Sequence, residues 1–203
     1  MEQEPQINSN ERDYILSQQN PDQLQAEPRI YVASLSDYNN GYLHGRWIKA
    51  SLEPEDIEAE IKEMLKSSHM PDAEEYAIHD YDNFGPLRLS EYEGLETISY
   101  LAQGIEKYGS SFAHFAEAIE DLDPDVLARF EDAYRGYYDS LEDYARELLD
   151  DLGVNALIER AIPDYLQPYV RLDIEGFARD LDQSGDVLIS EGDGGVYIFV
   201  ANY

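Results

Sequence analysis

Apolar and polar positions along this chain follow two rhythms, and the switches between them outline its elements. RIYVASL, from Arg29, is a β-branched and aromatic run that predicts a strand. SDYNNG follows, with Asn39, Asn40 and Gly41 suited to a turn, and then GRWIKA, so a hairpin-like pair of strands is expected. In PEDIEAEIKEMLKSS, Pro54 stands in the first turn and Ile57, Ile61, Met64 and Leu65 share one face. Glu58 and Lys62 pair at i,i+4 on the other, which predicts a helix. EEYAIHDY reads as a third strand and completes a β-β-α-β unit over residues 29–92.

From Glu93 to about Glu131 the period is helical: Phe112, Phe115, Ala116, Ile119 and Leu122 form one stripe, with Glu117, Glu120 and Asp121 opposite. Asp123-Pro124-Asp125 caps and opens another helix. Ser140 begins a third, whose Leu141, Tyr144, Ala145, Leu148 and Leu152 keep the i, i+3, i+4 spacing until Gly153. A short apolar helix around 156–161, a helix around 174–178, and strands DVLIS and VYIFVANY joined by EGDGG follow, so the chain ends in a β-hairpin. Residues 1–28, rich in Gln, Asn, Glu and Pro without apolar period, read as a disordered tail. The expected class is α+β, with a tail (1–28), an N-terminal α+β domain (29–92), a central helical domain (93–131) and a C-terminal α+β domain (132–203).

Composition changes this picture in one direction. The 203 residues carry 44 acidic and 14 basic side chains, a formal charge of −30, while 43% hydrophobic content with 17 Tyr and 6 Phe suffices for a core. Direct binding of nucleic acid, which needs a basic stripe, is excluded. There is no cysteine, no apolar run long enough to span a membrane and no signal-peptide pattern, so no membrane association and a cytoplasmic location are expected.

Several motifs invite specific chemistry. Asp180, Asp182, Ser184, Gly185, Asp186 and Glu191 fall on positions 1, 3, 5, 6, 7 and 12 of the helix–loop–helix calcium loop. The glycines and β-branched residues after Glu191 oppose the exit helix that loop requires. Calcium binding is therefore kept as an alternative, these acids are expected to be turn and strand-edge residues, and no metal or cofactor is expected. His79-Asp80 could supply an acid and a base, but no nucleophile elbow, phosphate loop or H-x-x-x-H pair accompanies it, so no catalytic residue is assigned. Trp47, Tyr76 and Tyr81 read as packing rather than a ligand cage.

The acids themselves are the stronger signal. Asp139, Asp143, Glu147 and Asp151 are spaced four apart along one helix face, and each like-charged pair costs about 0.2–0.5 kcal/mol. Capping explains Asp139 but not Glu147, Asp150 and Asp151, which crowd the negative end of the helix dipole. The candidate acidic surface comprises Glu117, Glu120, Asp121, Asp125, Glu131, Asp132, Asp139, Glu142, Asp143, Glu147, Asp150 and Asp151. Duplex DNA carries one charge per roughly 1.7 Å, so two copies with about −60 would match about 100 Å of duplex. Such charge also fits halophilic solubility or an acidic interaction protein.

RIYVASLSDYNNGYLHGRWI (29–48), EEYAIHDYDNFG (74–85) and the terminal IPDYLQPYVRLDIEGFARDLDQSGDVLISEGDGGVYIFV resemble the ArdA antirestriction proteins, in matching order from residue 29 to 203. The resemblance implies an elongated α+β chain of three small domains that forms a homodimer through the last one and mimics bent B-form DNA. It further implies competitive occupation of the DNA-binding groove of type I restriction–modification enzymes, made of specificity and methyltransferase subunits. A mimic aimed at another DNA-binding protein is the alternative. The family's antirestriction segment corresponds to about LGVNALIERAIPDYLQ, where Ile162, Pro163, Tyr165 and Leu166 are dimer-contact candidates or, equally, domain core. The 28-residue tail and the longer connection around SSHMPDAE depart from the family pattern.

Overall fold

The computed structural model describes residues 27–71, 73–119 and 122–201. The chain divides into two compact units, Met1–Ala128 and Arg129–Tyr203, and its class is α+β.

The first unit begins with β1 (Arg29–Ser34), followed by α1 (Leu35–Asn39), β2 (Gly45–Lys49), α2 (Pro54–Lys66) and β3 (Tyr76–Asp82). The strands form an antiparallel sheet of order β2-β1-β3. Ile30 pairs with Ile48 and Val32 with Ile78, and all four are buried, because alternate residues of a strand share a face. α2 buries Ile57, Ile61 and Met64, with Pro54 in its first turn as the spacing predicts, whereas Leu65 is half-buried. The expected simple turn between β1 and β2 is partly helical. Ser34 caps α1 by accepting the Asp37 N–H at 3.3 Å, a local bond that Ser and Asp make at the expense of extended chain.

α3 (Leu95–Tyr108) and α4 (Ser110–Ile119) share the helical stretch predicted from Glu93. They are separated at Gly109, whose φ of +73° only glycine adopts readily. α3 buries Ile98, Leu101, Ala102 and Ile105, and α4 buries Phe112, Phe115 and Ala116. The helices pack so closely that a Cβ on Gly104 would stand 2.2 Å from the Phe112 ring. α5 (Pro124–Leu127) is a single turn capped by Asp123. Glu27 and Pro28, assigned above to the tail, are tied to the sheet: the Ala50 N–H donates to the Pro28 carbonyl at 2.9 Å and the Asn83 amide to that of Glu27 at 3.0 Å. The remainder of the expected tail, residues 1–26, lies outside the described residues.

The second unit contains α6 (Phe130–Ala133), β4 (Tyr134–Tyr138), α7 (Leu141–Asp151), α8 (Val154–Ala161), a 3₁₀ turn (Gln167–Tyr169), α9 (Ile174–Ser184), β5 (Val187–Gly192) and β6 (Gly195–Val200). The terminal hairpin is present, closed through Asp193 and Gly194 (φ +83°). β4 is a strand that the sequence did not reveal. It joins β6 in an antiparallel sheet of order β4-β6-β5, and a register shift between Tyr134 and Gly136 breaks the period-2 pattern. One sheet face carries the core of Tyr144, Val187 and Ile198, surrounded by Tyr138, Leu141, Leu148, Leu181, Ile189 and Val196. α7 and α9 both pack on it. Phe130, Tyr134 and Phe199 form a separate aromatic cluster with centroids 5.3–6.4 Å apart.

Candidate acidic interface

α7 is an amphipathic helix whose two faces have different tasks. Tyr144 and Ala145 are buried and Leu141 and Leu148 contribute to the core, leaving Glu147, Asp150 and Asp151 exposed. Ser140 caps the helix: its hydroxyl accepts the Asp143 N–H at 3.2 Å and donates to Asp143 Oδ2 at 2.6 Å. That hydroxyl and then the Arg146 guanidinium hold the Asp143 carboxyl below its ordinary range. Arg146 pairs with Asp143 and is the only basic residue of α7. Glu147 instead accepts from the Tyr138 hydroxyl at 3.0 Å, and burial together with that carboxylate pushes the phenol up. Asp150 accepts from the Asn155 amide at 2.7 Å. Asp139, Glu142, Glu147, Asp150 and Asp151 therefore have no cationic partner among the described residues.

The other candidates divide between the units. Glu117 on α4 and Asp125 on α5 are exposed in the first. Glu120 and Asp121 lie outside the described residues. Glu131 and Asp132 are exposed on α6, Asp139 is exposed before α7, and Glu142 and Asp143 are half-buried in its first turn. α9 adds acids that the sequence analysis placed elsewhere. Asp180 and Asp182 are helical residues of α9, not turn or strand-edge residues, because Ile174, Phe177, Ala178 and Leu181 extend its apolar face to a left-handed C-cap at Gly185. With Ser184 helical and Glu191 in β5, the chain does not adopt the calcium-loop geometry. Leu181 meets the same core as Leu141, Tyr144 and Leu148, so α7 and α9 lie side by side on one sheet face. Glu147, Asp150 and Asp151 of α7 and Glu175, Asp180 and Asp182 of α9 are all exposed, with Arg146 and Arg179 as the cations of the two helices. The apolar i, i+3, i+4 positions of 174–181 were the signal for a longer helix.

A second surface is apolar. Val154, Leu157, Ile158 and Ala161 follow the spacing of a buried helix face, yet α8 buries no residue. Pro163 is exposed, Ile162 half-buried, and Leu157, Tyr165 and Tyr169 expose 58%, 73% and 82% of their surface, with Leu152 and Leu166 also exposed. Pro163, Tyr165 and Leu166 are thus not core of this unit. Leu152, which its spacing placed on the apolar face of α7, is exposed instead of buried, and the exposed Leu157 and Tyr169 were not singled out from sequence.

His79 of β3 meets the Tyr38 ring edge-on at 4.8 Å. Trp47 is exposed, stands 5.6 Å from the Tyr31 ring and carries the Arg29 guanidinium over its face at 5.1 Å. Among the described residues no group of three His, Asp or Glu is placed to hold a metal ion, and no helix is long and apolar enough to cross a membrane.

No individually curated protein matches the chain. The family model of the antirestriction protein ArdA matches residues 30–194, from β1 to the terminal hairpin, and with that match over most of its length the chain belongs to the ArdA antirestriction family.

Proposed function

We propose that the protein inhibits type I restriction–modification enzymes by imitating B-form DNA: its carboxylates occupy the lysines and arginines of the groove formed by specificity and methyltransferase subunits. No bond is made or broken. The observation that carries this reading is the group of exposed acids, without cationic partners among the described residues, at the C-terminal end of α7, where helix electrostatics disfavour them. Acids kept at a cost to the fold serve an outside partner.

The functional form is a homodimer in the cytoplasm, joined through the uncovered apolar surface of α8 and Tyr165, with the chain organised as domains 29–92, 93–131 and 132–203. Doubling the chain doubles the charge array. The test is a competition: purified protein is added to a type I enzyme and its DNA binding and methylation are followed. Displacement of duplex DNA by the protein, with no substrate consumed, is expected. An enzyme that holds DNA and protein together overturns the mechanism.

A further inference from the structure

One corner of the first unit exposes aromatic rings that the carboxylate array does not explain. Its foundation is Asp37 on α1, whose carboxylate is fully buried. It receives the Ser68 hydroxyl, the His69 N–H at 3.1 Å and, at 3.2 Å, the His69 ring Nδ1. The Asp37 carbonyl accepts the N–H groups of Asn40 and Tyr42, both at 3.0 Å. One residue thus fixes both the α1–β2 connection and the chain after α2. On that base the Tyr42 ring stacks on His69 at 5.3 Å and 14°, His69 meets His44 edge-on at 5.5 Å, and Tyr38 meets His79. Tyr38 is 57% exposed, Tyr42 49% and Leu43 78%.

Rings oriented before binding lose little freedom on contact. One face of Tyr42 is taken by His69, and its exposure belongs to the rest of the ring. An aromatic face is electron-rich and attracts cations, arginine above all because its plane also stacks. The charged surroundings agree: exposed Glu74 and Glu75 precede β3, and the Glu75 carbonyl accepts the Leu35 N–H at the start of α1, at 3.0 Å. Arg46 is held by Glu60 and Glu63. Lys62 and Lys66 line a depression shared with His69 but with neither tyrosine. The chain makes the same contact internally, with Arg29 over Trp47.

We propose that Tyr38 and Tyr42 receive arginine side chains of the basic protein that the acidic surface addresses, an inference resting on the function proposed above. A phosphate mimic supplies charge alone, whereas these rings add a contact that duplex DNA does not present in its backbone. Binding of the full chain to a purified type I methyltransferase is compared for wild type, the Tyr38→Phe/Tyr42→Phe double variant and the Tyr38→Leu/Tyr42→Leu double variant. Two exposed cation–ring contacts make the leucine variant about 5- to 30-fold weaker, with the phenylalanine variant within about twofold of wild type. Equal affinity of the leucine variant, or equal loss in both, overturns the proposal. A second measurement needs no enzyme: an arginine-rich peptide shifts the ring protons of Tyr38 and Tyr42 more than a lysine-rich peptide of equal charge, and unmoved ring protons overturn the inference. If the rings respond to the peptide while the wild-type chain ignores the methyltransferase, the proposed function fails and the cation site stands.

Discussion

Replacing Glu147, Asp150 and Asp151 together by Gln, Asn and Asn should stabilise the protein and weaken it as an inhibitor. The amides keep acceptors for the Tyr138 hydroxyl and the Asn155 amide, so the local bonds survive while three charges go. Glu147 and Asp151 form a like-charged i,i+4 pair worth about 0.2–0.5 kcal/mol of repulsion. Asp150 and Asp151, in the last turn of α7, each oppose the helix dipole by about 0.3–1 kcal/mol. Their removal raises stability by about 1–2 kcal/mol, several degrees in melting temperature for a unit of this size. Each exposed carboxylate contributes about 0.2–1 kcal/mol to a cationic partner, so the triple variant binds about 3- to 150-fold more weakly and each single variant at most about fivefold. Thermal denaturation and a DNA-displacement titration read the two effects on the same samples. A triple variant that is less stable than wild type, or that inhibits as well, refutes the reasoning, because the charges would then serve the fold rather than a partner.

Leu157→Asp with Tyr165→Asp is expected to convert the proposed dimer to monomer in sedimentation at micromolar concentration while each subunit keeps its far-ultraviolet circular dichroism, since neither side chain is buried in its own unit, and to remove the concentration dependence of the melting temperature that association confers. Gly104→Ala places a methyl against the buried Phe112 ring and is expected to cost about 1–3 kcal/mol by overpacking, more than the about 1 kcal/mol that alanine returns in helix propensity. Burial raises the Asp37 carboxyl, but the bonds from the Ser68 and Ser34 hydroxyls and the His69 N–H and ring outweigh it and hold its pKa at about 2, below 3.8. Its stabilisation is therefore complete above about pH 4 and lost as the pH falls from there towards 2. Denaturant titrations across that range are expected to show an acid-side loss in wild type that is smaller in Asp37→Asn.

Elements driven by a continuous local period were legible in the sequence. Ile57, Ile61 and Met64 marked α2, the Ser140 cap and Gly153 bounded α7, and the terminal apolar runs marked β5 and β6. β4 was not, because Tyr134–Tyr138 contains a central glycine at φ +141° and a register shift, and pairing with β6 rather than propensity makes it a strand. α9 was read too short because its acids matched a metal-loop spacing that obscured the helical one. Row spacing foretold the exposure of Glu147 and Asp151, but the exposed acids of α9 became visible only once that helix was seen to run to Ser184 and to share the Val187–Ile198 core with α7. Spacing likewise could not decide whether Tyr165 and Leu166 were core or surface, since an apolar face looks the same whether the chain's own core or a partner covers it. The burial of Asp37 gave no signal, because most of its donors stand about thirty residues away, at Ser68 and His69.

The central claim is that an enzyme takes this polyanion for DNA, and the most direct measurement is the salt dependence of its binding to a type I methyltransferase with duplex DNA as competitor. Binding is expected to be mutually exclusive with DNA, with an affinity that falls steeply and linearly in log–log form as salt rises, because many ion pairs form at once. Binding indifferent to salt, or a stable ternary complex with DNA, would contradict it.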